Sequence, residues 1–385
     1  METIRCDGNG HAMKKLFFAF LPAAALCLCG AKPESAAKAL AFEGPRVISL
    51  ANSRHVNFVR NASVRENLKD KTPASVANPE RSGKEDSHPQ GAVFTWKLPP
   101  DTARAVFVIS GGSRILRYDV TGKEHLELFN LELARNYYCA LDVVTRDGKC
   151  IRALRRLKTA NQPPRWLKLP EISNARDIGG WKTADGKFRI RQGLLYRGGA
   201  FDKVRHLTKE GKRIFCRDLG IKTDIDLRGL TGCEPGLEKH PLAEYGVAHF
   251  IEPVSLDYDA PQAQQMFVRL FHEFAKPHIY PAYCHCAGGA DRTGALMFLL
   301  EGVLGLDDET LFTEYELTSF SVYGARSRKG RLFGKLLKKL ETYGDASVPL
   351  REKAVRYLLE IGVPQSDVDA IRNIFLEKVI VKDAK

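Results

Sequence analysis

Hydrophobic and polar positions alternate in short runs between residues 91 and 159. Alternation with a period of two residues is typical of strands that bury one face. Turn residues separate the runs, and Arg146-Asp147-Gly148 is expected to close the last two strands into a hairpin. The pattern predicts an all-β sandwich over residues 46–159, whose N-terminal part, residues 46–90, is polar and expected to be irregular. The predicted strands are Ala92–Trp96, Ala105–Ser110, Arg117–Val120, Glu127–Phe129 and Asn136–Val144.

After a linker at residues 160–164 the pattern changes to strands that alternate with longer amphipathic helices. Ile221–Leu227 is predicted to be a buried parallel strand, preceded by a helix that Thr208 caps. Gln262–Phe274 has the apolar spacing of a helix that packs on a sheet. Strands alternating with helices predict an α/β domain over residues 165–385, with a central, mostly parallel sheet flanked by helices.

The N-terminus has the pattern of a secretory signal. Lys14 and Lys15 precede a short apolar run that ends in small residues near Ala31. The run is too short to span a bilayer comfortably, so residues 1–31 are predicted to be a signal peptide of a secreted or periplasmic protein. Lipidation of Cys27 or Cys29 is the alternative, although the residue before each is leucine, where a lipoprotein signal has glycine or alanine.

Composition and charge limit the classes of binding partner that we expect. The 385 residues carry a formal net charge of +13, which favours acidic partners such as phosphorylated substrates or anionic lipid surfaces. No zinc-finger spacing or RNA-binding aromatic motif is present, so nucleic acid is not expected. Peripheral or lipid-anchored contact with a membrane stays open, and the sequence carries no signal for the oligomeric state.

The nine cysteines do not form a paired framework. Cys139 and Cys150 lie on the two strands of the predicted hairpin. Its turn puts Cys150 opposite a residue near Val144, so a bridge from Cys150 to Cys139 would need a different register.

One stretch carries most of the chemistry. The stretch from Tyr283 to Gly294 is predicted to be a buried strand that ends in His285-Cys286, then a glycine-bearing loop, then a helix opened by Asp291-Arg292-Thr293-Gly294. Backbone amides of such a loop and helix N-terminus attract an anion, and the same field lowers the pKa of the Cys286 thiol. The guanidinium of Arg292 is suited to a bidentate clasp of two phosphate oxygens. A nucleophile inside an anion cradle predicts phosphoryl transfer through a cysteinyl-phosphate.

This stretch, His285-Cys286-Ala287-Gly288-Gly289-Ala290-Asp291-Arg292-Thr293-Gly294, resembles the signature of the cysteine-dependent tyrosine phosphatases. Its ending is similar to that of a bacterial branch described as protein-tyrosine and lipid phosphatases, and the resemblance extends over about residues 164–377. One departure is Ala290, where that branch commonly has lysine. A cation for a second acidic group is therefore missing, which argues against doubly phosphorylated lipids.

The resemblance implies roles for the surrounding residues. The amides of residues 287–292 would hold the phosphate, Thr293 would stabilise the departing thiolate, and His285 would support the loop from behind. Asn174, Arg176 and Asp177 would lie beside the loop as support. Asp226 and Arg228 are read mainly as a buried salt bridge that shapes the site. The general acid is predicted to be Asp291 in the loop, with Asp257 on an upstream loop as the second candidate.

The sequence leaves the substrate open. Phosphotyrosine in proteins is the first expectation, and a phosphoinositide or inositol phosphate is the alternative. A phosphoprotein-binding module with poor turnover is the hypothesis from another class. A rhodanese-like sulfur transferase also has a cysteine loop, but Arg292-Thr293-Gly294 and the upstream Asn174-x-Arg176-Asp177 argue against it. No spacing of residues predicts a metal site, and no cofactor is expected.

Overall fold

The computed structural model describes residues 40–68, 85–201, 207–228 and 240–379. The predicted signal peptide over residues 1–31, with Cys27 and Cys29, lies outside these residues. Within the described ranges no helix combines the length and the apolar character needed to cross a bilayer.

Two mainly antiparallel sheets form the N-terminal half. Their strands are β1 Phe42–Glu43, β2 Val47–Ile48, β3 Ala92–Trp96, β4 Thr102–Ser110, β5 Leu116–Asp119, β6 His125–Leu128, β7 Asn136–Thr145 and β8 Cys150–Thr159. One sheet has the order β1-β3-β6 and the other β2-β8-β7-β4-β5. Phe94 of the first sheet and Phe107 of the second are fully buried in one hydrophobic core, with ring centroids 5.1 Å apart. In sequence, this half resembles a fibronectin type III or immunoglobulin-like module, with Trp96 on an early strand and Tyr137 at the start of a late one. That resemblance stays a prediction.

The hairpin register agrees with the sequence prediction for the cysteines. Val144 lies opposite Cys150, and Cys139 lies opposite Arg155. Cys139 is a free, buried thiol. The two cysteines are therefore not bonded to each other.

The prediction of an irregular segment over residues 46–90 is wrong in part. Two helices, α1 Ser53–Arg60 and α2 Ala62–Glu66, lie within it. The side chain of Asn52 caps α1 by accepting a hydrogen bond from the amide of His55 at 2.9 Å. The Phe58 ring lies in the core of the C-terminal half, 5.0 Å from Phe320. This segment therefore packs on the predicted α/β domain, although its sequence position suggested the β-sandwich.

A six-stranded sheet organises the C-terminal half. Its strands are β9 Arg165–Trp166, β10 Arg176–Asp177, β12 Leu195–Gly198, β13 Thr223–Asp226, β14 Ala248–Ile251 and β15 Ala282–His285, in the order β14-β13-β15-β12-β10-β9. The first four strands in this order run parallel to one another. Strand β10 pairs antiparallel with both β12 and β9. Two short strands, β11 Phe188–Ile190 and β16 Leu376–Lys378, pair separately.

Helices flank this sheet. They are α3 Lys209–Arg213, which continues as a π-helical turn to Leu219, α4 Pro261–Phe274, α5 Asp291–Val303, α6 Asp308–Glu316, α7 Arg331–Glu341, α8 Leu350–Glu360 and α9 Gln365–Phe375. Thr208 caps α3, as predicted, by accepting from the amide of Gly211. The α/β architecture of this half is confirmed.

Candidate active site

The predicted phosphate loop lies at the carboxyl edge of the sheet. Strand β15 runs parallel to β12 on one side and β13 on the other, and all four of its residues are buried. Residues 286–290 form the loop, and α5 begins at Asp291. Ligands of open α/β sheets bind at this edge, where the loops after parallel strands converge. The fold therefore puts Cys286 at the usual position of a ligand site.

The Cys286 thiol is buried, with 4% of the residue exposed. Burial by itself raises its pKa, but hydrogen bonds from Thr293, the charge of Arg292 and the amide of Gly288 outweigh burial and lower it. The Thr293 hydroxyl has no other hydrogen-bond partner among the described residues. A thiol whose pKa is lowered in this way is available as a thiolate nucleophile.

Arg292 is half-buried and anchored at the end of the neighbouring strand. One of its guanidinium nitrogens donates to the carbonyl of Leu227 at 3.1 Å, directly after β13. This contact holds the side chain at the sheet edge and leaves the rest of the planar fork for an oxyanion.

The loop backbone requires glycine at residue 289. Gly289 has φ of +61°, and a Cβ there would lie 2.2 Å from the carbonyl oxygen of Gly198. Any larger side chain would push the loop away from β12. Ala290, at the position where the resembling branch has lysine, is itself 3% exposed.

Four fully buried side chains brace the loop from behind, and we call Asn174, Arg176, Arg197 and Glu314 the buried brace. The Asn174 amide donates to the carbonyls of Gly288 and Gly289 at 3.2 and 3.0 Å. Arg197 donates to the same Gly289 carbonyl at 2.7 Å.

The remaining contacts of the brace involve its two arginines. Arg176 donates to the Asn174 oxygen and to the Glu314 carboxylate, both at 2.6 Å. Arg197 lies 3.5 Å from that carboxylate. Burial, followed by the charge of Glu314, raises the pKa of nearby Glu301 well above its usual value. Two guanidinium groups therefore face the Glu314 carboxylate, and their positive charge favours an anion in the loop.

The implied role of Asp177 beside the loop is wrong. Its carboxylate accepts from Arg165 at 2.6 Å and from the amides of Gly179 and Gly193 at 2.7 Å each. Arg165 in turn donates to the carbonyl of Leu131 in the N-terminal half. Because neighbouring strand residues point to opposite faces, Arg176 faces the loop brace and Asp177 faces away from it.

His285 is buried next to the nucleophile. Its Nε2 lies 3.1 Å from the Asp224 carboxylate, and its Nδ1 lies 3.3 Å from the carbonyl of Cys286. Burial opposes the charged imidazolium, but the Asp224 carboxylate outweighs it and raises the pKa of His285 to about 9. His285 therefore carries a charge at neutral pH, which suits a supporting role and not that of a base.

Asp226 and Arg228 form the buried ion pair that the sequence suggested. The guanidinium lies 2.7 Å from the carboxylate, and both side chains are almost fully buried. Asp226 ends β13 at the sheet edge, and Arg228 follows Leu227, whose carbonyl holds Arg292.

The side of the loop that opens to solvent has different partners. Arg326 forms two hydrogen bonds with the Asp291 carboxylate, at 2.7 and 3.1 Å. The Tyr323 hydroxyl donates to the carbonyl of Ala287 at 3.3 Å, and its ring lies against Gly288. We call Asp291, Tyr323 and Arg326 the open side of the loop.

Asp257 is exposed, on the loop that follows β14. The amide of Val254, earlier in that loop, donates to the Leu227 carbonyl at 3.2 Å. Arg292 donates to the same carbonyl. The Leu227 carbonyl therefore anchors both Arg292 and the loop that carries Asp257.

Sequence reasoning missed several of these residues. Glu314 lies on α6 between the apolar positions of Phe312 and Tyr315, and Asp224 lies inside a strand predicted to be buried. A charged residue at a buried position requires a partner, and this signal was available in both cases. The structure also gathers Asp224, His240 and His249, although no spacing in the sequence predicted a cluster of metal-ligating residues.

Comparison with known proteins adds a family assignment. Residues 167–377 match the tyrosine phosphatase family. Among solved structures, the catalytic core of the PP-IP phosphatase SIW14 from S. cerevisiae is 18% identical, covering 43% of this chain and 91% of that one, with a TM-score of 0.30. PTPMT1 in complex with PI(5)P is 11% identical, covering 44% of this chain and 97% of that one, with a TM-score of 0.28. No curated protein matches the chain.

Proposed function

The chain belongs to the tyrosine phosphatase family, and we propose that it hydrolyses phosphomonoesters through a cysteinyl-phosphate, with phosphotyrosine in proteins as its substrate. The observation that carries the proposal is the Cys286 thiol, buried in a glycine loop and held at a lowered pKa by Thr293 and Arg292. The proposal for a secreted or periplasmic location is based on residues 1–31 alone.

The reaction has two steps. The Cys286 thiolate attacks phosphorus and the bond to the leaving oxygen breaks, while Arg292 and the amides of residues 287–292 hold the other phosphate oxygens. A carboxylic acid gives its proton to the leaving oxygen. Water then attacks the cysteinyl-phosphate, releasing inorganic phosphate and a thiolate that the Thr293 hydroxyl stabilises.

The contacts of the two candidate acids favour Asp257. Both carboxylate oxygens of Asp291 accept hydrogen bonds from Arg326, so neither is free to carry a proton toward a substrate. Asp257 is exposed and accepts only a long hydrogen bond, from the amide of Asp259 at 3.4 Å, among the described residues. A loop of this kind can close over a bound substrate.

The surroundings of the loop favour a monophosphate on an aromatic group. The Tyr323 ring lies against Gly288 and provides an apolar wall for a phenyl ring. A second phosphate would need a cation, but residue 290 is alanine and Arg326 already pairs with Asp291. Phosphotyrosine is therefore placed ahead of a phosphoinositide or inositol phosphate, and ahead of a module that only binds phosphoprotein.

The test is hydrolysis of p-nitrophenyl phosphate in the presence of a chelator. Wild type is expected to be active and Cys286→Ser inactive. Cys216→Ser is a matched control, because Cys216 is half-buried in the π-helical turn and burial raises the pKa of its thiol. Activity that survives in Cys286→Ser would contradict the proposal. Phosphopeptide binding without turnover in wild type would favour the binding module.

A substrate panel and two variants complete the test. Phosphotyrosine peptides are expected to give a higher kcat/KM than phosphoinositides. Asp257→Asn is expected to lower kcat on phosphotyrosine by about 10²–10⁴-fold and to flatten the alkaline side of the pH profile. Asp291→Asn is expected to change that profile less, and the reverse order would identify Asp291 as the acid.

A further inference from the structure

We propose that Asp224, His240 and His249 form a binding site for a divalent transition-metal ion of the zinc class. Their ligand atoms all lie within 4.8 Å of one another. The Asp224 carboxylate is 2.8 Å from Nε2 of His240 and 3.9 Å from Nε2 of His249. This proposal stands independently of the proposed phosphatase activity.

The sheet register brings the ligands together. Asp224 of β13 and His249 of β14 are paired residues of adjacent parallel strands, so their side chains lie side by side on one face. His240 comes from the segment before β14, and its ring centroid is 4.3 Å from that of His249. Two of the three ligands therefore stand on strands of the sheet, which hold them in place.

The spacing of the donors suits zinc. Tetrahedral bonds of about 2.0–2.1 Å to nitrogen and oxygen put neighbouring donor atoms about 3.3 Å apart. The two separations from Asp224, 2.8 Å (a hydrogen-bond distance) and 3.9 Å, lie on either side of that value. Two imidazoles and one carboxylate are a common donor set for zinc, and they leave a fourth position for water or another ligand.

The surroundings also resemble those of a metal site. The other Asp224 oxygen contacts His285 at 3.1 Å, and ligating carboxylates usually have such a second partner. Three imidazoles thus surround one carboxylate, more than a single buried acid needs for hydrogen bonding. The Asp226 carboxylate, which pairs with Arg228, is 3.9 Å from Nε2 of His249 and adds negative charge beside the site. The His249 side chain is 26% exposed and provides the route in for an ion.

The test measures zinc binding by the full-length, untagged chain with Cys286→Ser, so that the reactive thiolate does not bind the metal. Zinc is titrated against a chromophoric chelator. His249→Gln and His240→Gln are compared with His272→Gln, a control at an exposed histidine on α4 that pairs with Asp367. Circular dichroism establishes that each variant is folded. Two histidine variants are used so that the test of zinc binding still stands if one of them fails to fold.

We expect one zinc ion per chain in the control, and an affinity at least about tenfold weaker in each of the two variants. Zinc should also raise the melting temperature of the control and not of the variants, because the ion binds only the folded state. Absence of stoichiometric binding in the control, or equal affinity in the variants and the control, would overturn the proposal. A cobalt spectrum with thiolate bands would place the ion at a cysteine and overturn it as well.

Discussion

The phosphate loop is supported on two sides that differ in their exposure to water. The buried brace behind the loop includes Arg176 and Glu314, both 0% exposed. On the open side the ion pair of Arg326 and Asp291 is 16% and 28% exposed. A buried ion pair cannot exchange its partner for water, so it fixes a geometry, whereas an exposed pair can rearrange. Loop shape is therefore set from behind, and substrate recognition is expected on the open side.

Breaking the brace should have the largest effect. Arg176→Met leaves the Glu314 carboxylate with Arg197, at 3.5 Å, as its one ionic partner among the described residues. The change is expected to lower the free energy of unfolding by about 3–5 kcal/mol. Urea denaturation measures the change. The control is Arg54→Met, which removes an exposed arginine whose partner Asp86 is itself partly exposed, and which should cost about 1 kcal/mol or less. Equal losses in the two variants would show that burial does not distinguish these pairs.

The pH dependence of stability tests the buried histidine. The pKa of His285 is raised to about 9 from 6.5, so its contribution is complete below about pH 6.5 and is lost as pH rises through about 9. Wild type should lose stability over this window by an amount on the order of a few kcal/mol. Asp224→Asn removes the cause of the shift and should flatten the dependence there. A parallel decline in both proteins would contradict the assignment to His285.

Asn174→Gly separates loop support from backbone strain. Asn174 has φ of +62°, which glycine adopts freely, so the substitution removes the amide contacts to Gly288 and Gly289 without straining the chain. We expect the free energy of unfolding to fall by about 1–3 kcal/mol. We expect kcat to fall as well, because the phosphate loop loses two hydrogen bonds.

The matched control for that variant is Asn130→Gly. Asn130 also has a positive φ, +64°, but its side chain contacts the backbone of Lys168 and not the loop. Its kcat should stay at the wild-type value. A similar loss of kcat in both variants would mean that Asn174 does not act through the loop.

Arg326→Gln should have the smallest effect on stability, below about 1 kcal/mol, because its ion pair with Asp291 is partly exposed. The change removes a positive charge and releases a carboxylate beside the anion site. KM for a phosphopeptide should therefore rise about twofold to fivefold, which steady-state kinetics would detect. Arg331→Gln, at an exposed position on α7, is the control. An unchanged KM would show that the open side does not contribute to substrate binding.

Much of the α/β fold could be predicted, because its signals are local. The Thr208 cap, the strand at residues 223–226 and helix α4 follow from spacing and capping within a few residues. The helices over residues 53–66 could not be predicted, because polar residues dominate them and their core contacts lie on the C-terminal half. Tertiary packing, more than the periodicity of their own residues, stabilises such short helices.

The sequence by itself determined the chemistry of the loop. Cys286, Gly289 and Arg292 belong to one strand-loop-helix unit, and the spacing within such a unit is set by local backbone geometry. Only the tertiary structure decided what surrounds that unit. Glu314 behind the loop, Arg326 at Asp291, and the cluster of Asp224, His240 and His249 come from distant parts of the chain. Their meeting depends on strand order, register and the face to which each side chain points, and these are long-range properties that no single segment encodes.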